Sequence, residues 1–119
     1  MNKQEIYDRV KKHLLTQNVR STEWQGSSPE CKYRGDNGTK CAIGALIPDR
    51  LYSTDMEGSS VSGLSERYAC TFDKIFGNTL AHDDLLMLLR DLQVTHDNFY
   101  PKDWKAELTY VANKHGLNP

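Results

Sequence analysis

The sequence predicts an α+β fold: a small, mostly helical domain of about four helices with one short β-hairpin. Two observations predict the helices, because apolar residues recur every three or four positions and residues that favour helix ends flank these segments. The hairpin is predicted by the Asn37-Gly38 pair, which tolerates positive φ and lies between two short arms. A chain of 119 residues can form one modest core, so we expect a single domain over residues 1–119.

The first helix is predicted to begin after Asn2 and to continue to about Gln17. Asn2 and Glu5 have the spacing of a capping box, in which each side chain accepts a hydrogen bond from the other residue's backbone N–H. Apolar residues follow at helical spacing, namely Ile6, Val10 and Leu14. The segment Asn18–Glu30 is polar and contains glycine and proline, so it is predicted to be a loop.

The two-stranded hairpin is predicted from Cys31 to Ala42, with its turn at residues 35–38. The apolar run that follows, residues 42–47, is predicted to be a short buried helix because it contains two alanines, and Pro48 ends it. An extension of the second strand is the alternative. Residues 49–63 are predicted to be an irregular connection, since serines and glycines are frequent there.

The second half of the chain is predicted to be helical. Apolar residues at helical spacing indicate a short helix within residues 61–72. Thr79 is predicted to cap a long helix whose buried stripe is formed by Leu85, Leu88, Leu89 and Leu92. Pro101 at a first helical position and Gly116 beyond the last one delimit a final helix.

Composition excludes several classes of partner. The 15 basic and 16 acidic residues give a formal net charge of −1, so no overall field favours nucleic acid or an anionic membrane. No apolar run approaches the roughly 20 residues that span a bilayer, and the first residues lack the apolar segment of a signal peptide. We therefore expect a cytoplasmic protein without membrane or nucleic-acid partners, whose three cysteines are reduced thiols.

Four motifs give the chain its individual character: Cys31-x-Tyr33-Arg34-Gly35, Lys40-Cys41-Ala42-x-Gly44-x-Leu46-Ile47-Pro48-Asp49, Met56-Glu57-Gly58 and Leu89-x-Asp91-Leu92-Gln93-x-x-His96-Asp97. With these motifs the chain resembles, over nearly its whole length, a family of small uncharacterised proteins encoded by bacteriophages, prophages and some bacteria. The resemblance implies an accessory protein that acts in the cytoplasm of a bacterial host and binds a host protein or a small signalling molecule. It assigns a role to no individual residue.

The preferred candidate site is the predicted hairpin. Lys32, Arg34 and Lys40 place three cations beside Gly35 and Gly38, whose open backbone amides suit phosphate or carboxylate. The alternative interpretation is an ordinary solvated turn, in which the glycines serve only the turn geometry.

Four further residues extend this candidate site. Tyr33 offers an aromatic ring that can stack on a nucleobase, and Glu57 lies in a polar loop that can form a wall of the site. His96 and Asp97 form a local pair of titratable groups, although a histidine on the apolar side of a helix is more often a core or capping group.

These residues lead us to expect a non-enzymatic protein that binds a small anionic, nucleotide-like ligand and needs no cofactor or metal. One alternative is a modulator that docks on a host protein. Another is a small hydrolase or metal-dependent enzyme that uses Glu57, His96 or Asp97. A ligand site shared by a symmetric homodimer would leave no mark in the sequence, so the oligomeric state stays open.

Overall fold

The computed structural model describes residues 1–26, 28–78 and 80–119, which form six α-helices and one two-stranded antiparallel sheet. The helices are α1 (Lys3–Gln17), α2 (Ala42–Leu46), α3 (Val61–Arg67), α4 (Ala69–Phe76), α5 (His82–Asn98) and α6 (Trp104–Lys114). The strands are β1 (Thr22–Gln25) and β2 (Ser28–Cys31). The predicted α+β class is confirmed, and the helices exceed the predicted number partly because non-helical backbone at Tyr68 divides the segment predicted at 61–72.

Helix α1 begins and ends where the sequence predicts. The Asn2 side chain accepts the backbone N–H of Glu5 at 2.9 Å, and the Glu5 carboxylate accepts that of Asn2 at 3.2 Å, which completes the capping box. Asn18 adopts the left-handed conformation and ends the helix by donating its N–H to the Leu14 carbonyl. One face of α1 is buried, and the exposed side carries Arg9 and Lys12.

The predicted position of the hairpin is wrong. The paired strands β1 and β2 lie largely within the segment predicted to be a loop, with Thr22 opposite Cys31 and Trp24 opposite Pro29. All four residues of β2 are exposed. Strand β2 therefore lacks the alternation of buried and exposed residues that marks a half-buried strand in a sequence.

Residues 31–42 instead form a single bridge between Arg34 and Lys40 around a 3₁₀ turn at Asp36–Gly38. A longer strand ladder does not form, because the backbone N–H groups that would donate to it are hydrogen-bonded elsewhere. The N–H groups of Tyr33 and Arg34 donate to the Glu57 carboxylate, and the N–H of Lys40 donates to the side chain of Gln17. Asn37 and Gly38 do take the expected positive φ, 59° and 73°.

The predicted short buried helix after Cys41 is confirmed as α2, which packs against both α1 and α5. Its amino end is capped by the Cys41 sulfur, which accepts the N–H of Gly44 at 3.3 Å. Because α2 is central, the turn that precedes it is anchored next to the core.

The predicted leucine stripe of α5 is buried, and α6 contributes Trp104 and Leu108 to the same core. The predicted cap Thr79 lies outside the described residues, and Ala81 holds the N-cap position of α5. Pro101 begins a 3₁₀ turn, Pro101–Asp103, that leads into α6. Among the described residues, no helix is long and apolar enough to cross a membrane.

Candidate functional site

The nine residues predicted for the site do not gather at one place. Gly38 and Lys40 line a groove of about 520 Å³ between α1 and the 36–40 turn. A second cavity of about 360 Å³ is lined in part by four others, Lys32, Tyr33, Glu57 and Asp97. The remaining three, Arg34, Gly35 and His96, make the contacts within the fold that are described below.

In the anion site predicted around residues 32–38, the protein's own groups already pair with the predicted ligand-binding groups. Lys32 Nζ lies 3.8 Å from an oxygen of Glu23 and 3.6 Å from one of Glu30, so the β-hairpin neutralises this cation. The N–H of Gly35 is not open, because it donates to the Thr39 carbonyl at 3.0 Å. An incoming anion would have to displace these partners.

The guanidinium of Arg34 is also engaged. Its Nη1 donates to Asp49 Oδ1 and its Nη2 to the Ile47 carbonyl, both at 2.6 Å. The same group lies 4.7 Å from the centroid of the Tyr52 ring, within cation–π distance. Arg34 therefore joins the 31–42 segment to the 47–52 segment.

Glu57 anchors the same region from the second cavity. Its carboxylate accepts the N–H of Tyr33 at 2.8 Å, the N–H of Arg34 at 3.1 Å and the hydroxyl of Tyr52 at 2.5 Å. Burial raises the pKa of Tyr52, and the hydrogen bond to Glu57 raises this pKa further. Because it accepts three hydrogen bonds, the Glu57 carboxylate stabilises the conformation of the loop.

His96 is completely buried on α5. Its Nε2 accepts the backbone N–H of Ser21 at 2.9 Å, which requires that this nitrogen carry no proton. The neutral ring therefore has its proton on Nδ1, which donates to Asp97 Oδ1 at 2.7 Å. The ring also stacks on Trp104, with 5.5 Å between ring centroids. His96 thus links α5, α6 and the segment before β1.

Cys31, His96 and Asp97 place a sulfur, a ring nitrogen and a carboxylate oxygen within 4.8 Å of one another, a donor set that can hold zinc. The tautomer argues against this use. A metal on Nδ1 would require the proton on Nε2, where the N–H of Ser21 already points. Desolvation raises the pKa of Cys31, and the nearby charge of Asp97 raises this pKa further, which also disfavours a thiolate nucleophile.

The groove beside α1 differs from the second cavity in its charge. Its lining residues are Arg9, Lys12, His13, Thr16, Gln17, Gly38, Lys40 and Ala45. These described lining residues include four basic side chains and no carboxylate. Within the described parts of the chain, neither Arg9 nor Lys12 has an ion-pair partner, and Lys40 Nζ lies 3.6 Å from Asp49 Oδ1.

The two sides of this groove are joined through the backbone of Lys40. Gln17 accepts the N–H of Lys40 at 2.9 Å with Oε1 and donates to its carbonyl at 2.9 Å with Nε2. His13 Nε2 lies 2.8 Å from the same carbonyl and donates to it, since a carbonyl oxygen only accepts. The 36–40 turn is thereby fixed to α1.

The contribution of α1 to this groove was not predicted from the sequence. Arg9, Lys12 and His13 are spaced i, i+3 and i+4, so a helix brings all three to one face. That basic face was readable from the sequence. Its position opposite Gly38 and Lys40 was not, because it depends on hydrogen bonds between residues more than 20 positions apart.

Comparisons with protein-family models, curated proteins and solved structures find no match for this chain.

Proposed function

We propose that the protein binds a small phosphate-bearing anion in the groove between α1 and the 36–40 turn. One observation carries this proposal: every ionisable residue among the described lining residues is basic, namely Arg9, Lys12, His13 and Lys40. Cations that converge on one concave surface attract anions and form short, charge-assisted hydrogen bonds with phosphate.

The dimensions of the groove support a small molecule. Its volume of about 520 Å³ falls within the range of about 300–1,000 Å³ that is common for ligand sites. The planar guanidinium of Arg9 can donate two parallel hydrogen bonds to one phosphate, and the Thr16 hydroxyl lies in the same lining.

The lining also indicates which part of a ligand is recognised. The described lining residues include no Phe, Tyr or Trp, and Tyr33, expected to stack on a base, lines the second cavity instead. Recognition in the groove therefore depends on the phosphate groups. The resemblance to phage-encoded accessory proteins supports phosphate-bearing signalling molecules of a bacterial host as candidates.

Calorimetric titration with pyrophosphate and with ATP tests the proposal. The wild-type protein should bind, its affinity should fall as salt is added, and its melting temperature should rise with ligand. Replacing Arg9 and Lys12 with alanine should weaken binding about tenfold or more, since two charge-assisted contacts are lost. Lys105→Ala, at an exposed position of α6, is the control and should bind normally. Absence of binding in the wild type would overturn the proposal.

A further inference from the structure

We infer that Asp49 competes with the ligand for Lys40, and that the groove therefore prefers an anion with at least two phosphate groups, such as pyrophosphate, over a single phosphate. This inference rests on the proposed function and names its ligand class and the residue that tunes it.

The cations of the groove differ in how they are neutralised. In the described chain Arg9 and Lys12 have no carboxylate partner, whereas Lys40 Nζ is 3.6 Å from Asp49 Oδ1. A ligand can contact Arg9 and Lys12 without weakening an ion pair. A ligand that also contacts Lys40 competes with the charge of Asp49 for its ammonium group.

The exchange of partners at Lys40 costs little free energy, because Asp49 keeps its closer ion pair with Arg34. The same oxygen, Oδ1, accepts from Arg34 Nη1 at 2.6 Å, so Asp49 stays paired when Lys40 turns to the ligand. The hydrogen bond from Arg34, followed by the charge of Lys40, lowers the pKa of Asp49, so it is ionised near neutral pH. The Asp49 side chain is 82% exposed, and exposed ion pairs contribute little to stability.

Position and charge together favour an extended ligand. The backbone of Lys40 is hydrogen-bonded to His13 and Gln17, which lie about 6 and 12 Å beyond Arg9, and about 1.5 and 7.5 Å beyond Lys12, along the helix axis. Arg9 and Lys12 suffice to neutralise a doubly charged phosphate. A longer and more highly charged anion can contact Lys40 in addition and gains from a third cation.

Titrations with inorganic phosphate and with pyrophosphate test the inference. The wild type should bind pyrophosphate more tightly than phosphate. Asp49→Asn should tighten pyrophosphate binding by up to about fivefold, the upper end of the effect expected when one exposed ion pair is removed. This gain in affinity should disappear when Lys40→Met is also present, because Asp49 affects binding only through the Lys40 ammonium group.

Asp55→Asn is the matched control for net charge, since Asp55 is exposed and has no ion pair among the described residues. An equal gain in this control, or a gain that persists without Lys40, would overturn the role of Asp49. Equal affinity of the wild type for phosphate and pyrophosphate would overturn the ligand class. Asp49→Ser provides the same comparison if Asp49→Asn is unstable.

If the wild type binds neither anion, the proposed function is wrong. If it binds pyrophosphate but is insensitive to Asp49, only this inference is wrong.

Discussion

Gly44 lies directly against the backbone of Tyr33: a Cβ atom on Gly44 would be 2.0 Å from the Tyr33 carbonyl oxygen and 2.9 Å from its carbonyl carbon. Helix α2 can approach this segment so closely only because residue 44 has no side chain. The contact sets the distance between the central helix and the segment that leads to the 36–40 turn.

Gly44→Ala should therefore lower the free energy of unfolding by about 2–4 kcal/mol, since backbone must move to admit the methyl group. Urea denaturation measures this change. Gly63→Ala in α3 is the control, because its Cβ would meet no backbone but two side-chain atoms, the Ser60 hydroxyl at 3.3 Å and the Ser59 Cβ at 3.8 Å. Equal stability of the two variants would show that the backbone at Tyr33 moves aside without lowering the free energy of unfolding.

His96→Leu should destabilise the protein by about 2–3 kcal/mol, because it leaves the buried N–H of Ser21 without an acceptor. The comparison is His82→Leu, at an exposed position at the start of α5, which should change stability by less than about 0.5 kcal/mol. Both values come from denaturant titrations. A mild effect at His96 would mean that Ser21 finds another partner.

Gln17→Ala should free the N–H of Lys40, while His13 keeps its hydrogen bond to the Lys40 carbonyl and the rest of the fold stays in place. The amide proton of Lys40 loses its acceptor, so its exchange with solvent should accelerate about tenfold or more in an NMR experiment. Lys32 provides the internal control, since its N–H donates to the Ser21 carbonyl and should keep its protection. Unchanged protection at Lys40 would contradict the attachment of the turn to α1.

Cys41 should make the protein less stable at alkaline pH. Burial raises the pKa of its thiol from 9.0 to about 12, although the hydrogen bond from Gly44 opposes this shift. The folded state therefore retains a proton that the unfolded state has lost, and the stabilisation present below pH 9 declines as the pH rises toward 12.

Cys41→Ser tests this pH dependence, because a hydroxyl keeps the acceptor for Gly44 but does not titrate there. The decline in unfolding free energy above pH 9 should become shallower by up to about 1.4 kcal/mol per pH unit. Cys70→Ser, at an exposed thiol, should leave the slope unchanged. Parallel curves for the wild type and Cys41→Ser would refute the assignment.

The sequence predicted those parts of the fold that local interactions determine. The capping box of α1 involves residues three positions apart, and the leucine stripe of α5 follows helical periodicity. The hairpin was misplaced because β2 has no buried residue, and because Glu57 and Gln17 take the donors that a strand pair at 31–42 would need.

Only the residue types of the candidate site could be predicted from the sequence, not their partners. Lys32, Arg34 and Lys40 were visible as a cluster of cations, but the acids that neutralise the first two come from the β-hairpin and from Asp49. Such pairing depends on tertiary structure. The basic face of α1 could have been found by reading its polar side for charge as well as its apolar side for burial.

The attachment of Lys40 to Gln17 also bears on the rate of binding. One amide side chain holds the N–H and the carbonyl of Lys40, so no loop needs to close around an incoming anion. Association should then be governed by diffusion and charge, with an observed rate that rises linearly with ligand concentration and reaches no plateau. Under those conditions, the lifetime of the complex determines how quickly the protein follows a falling ligand concentration.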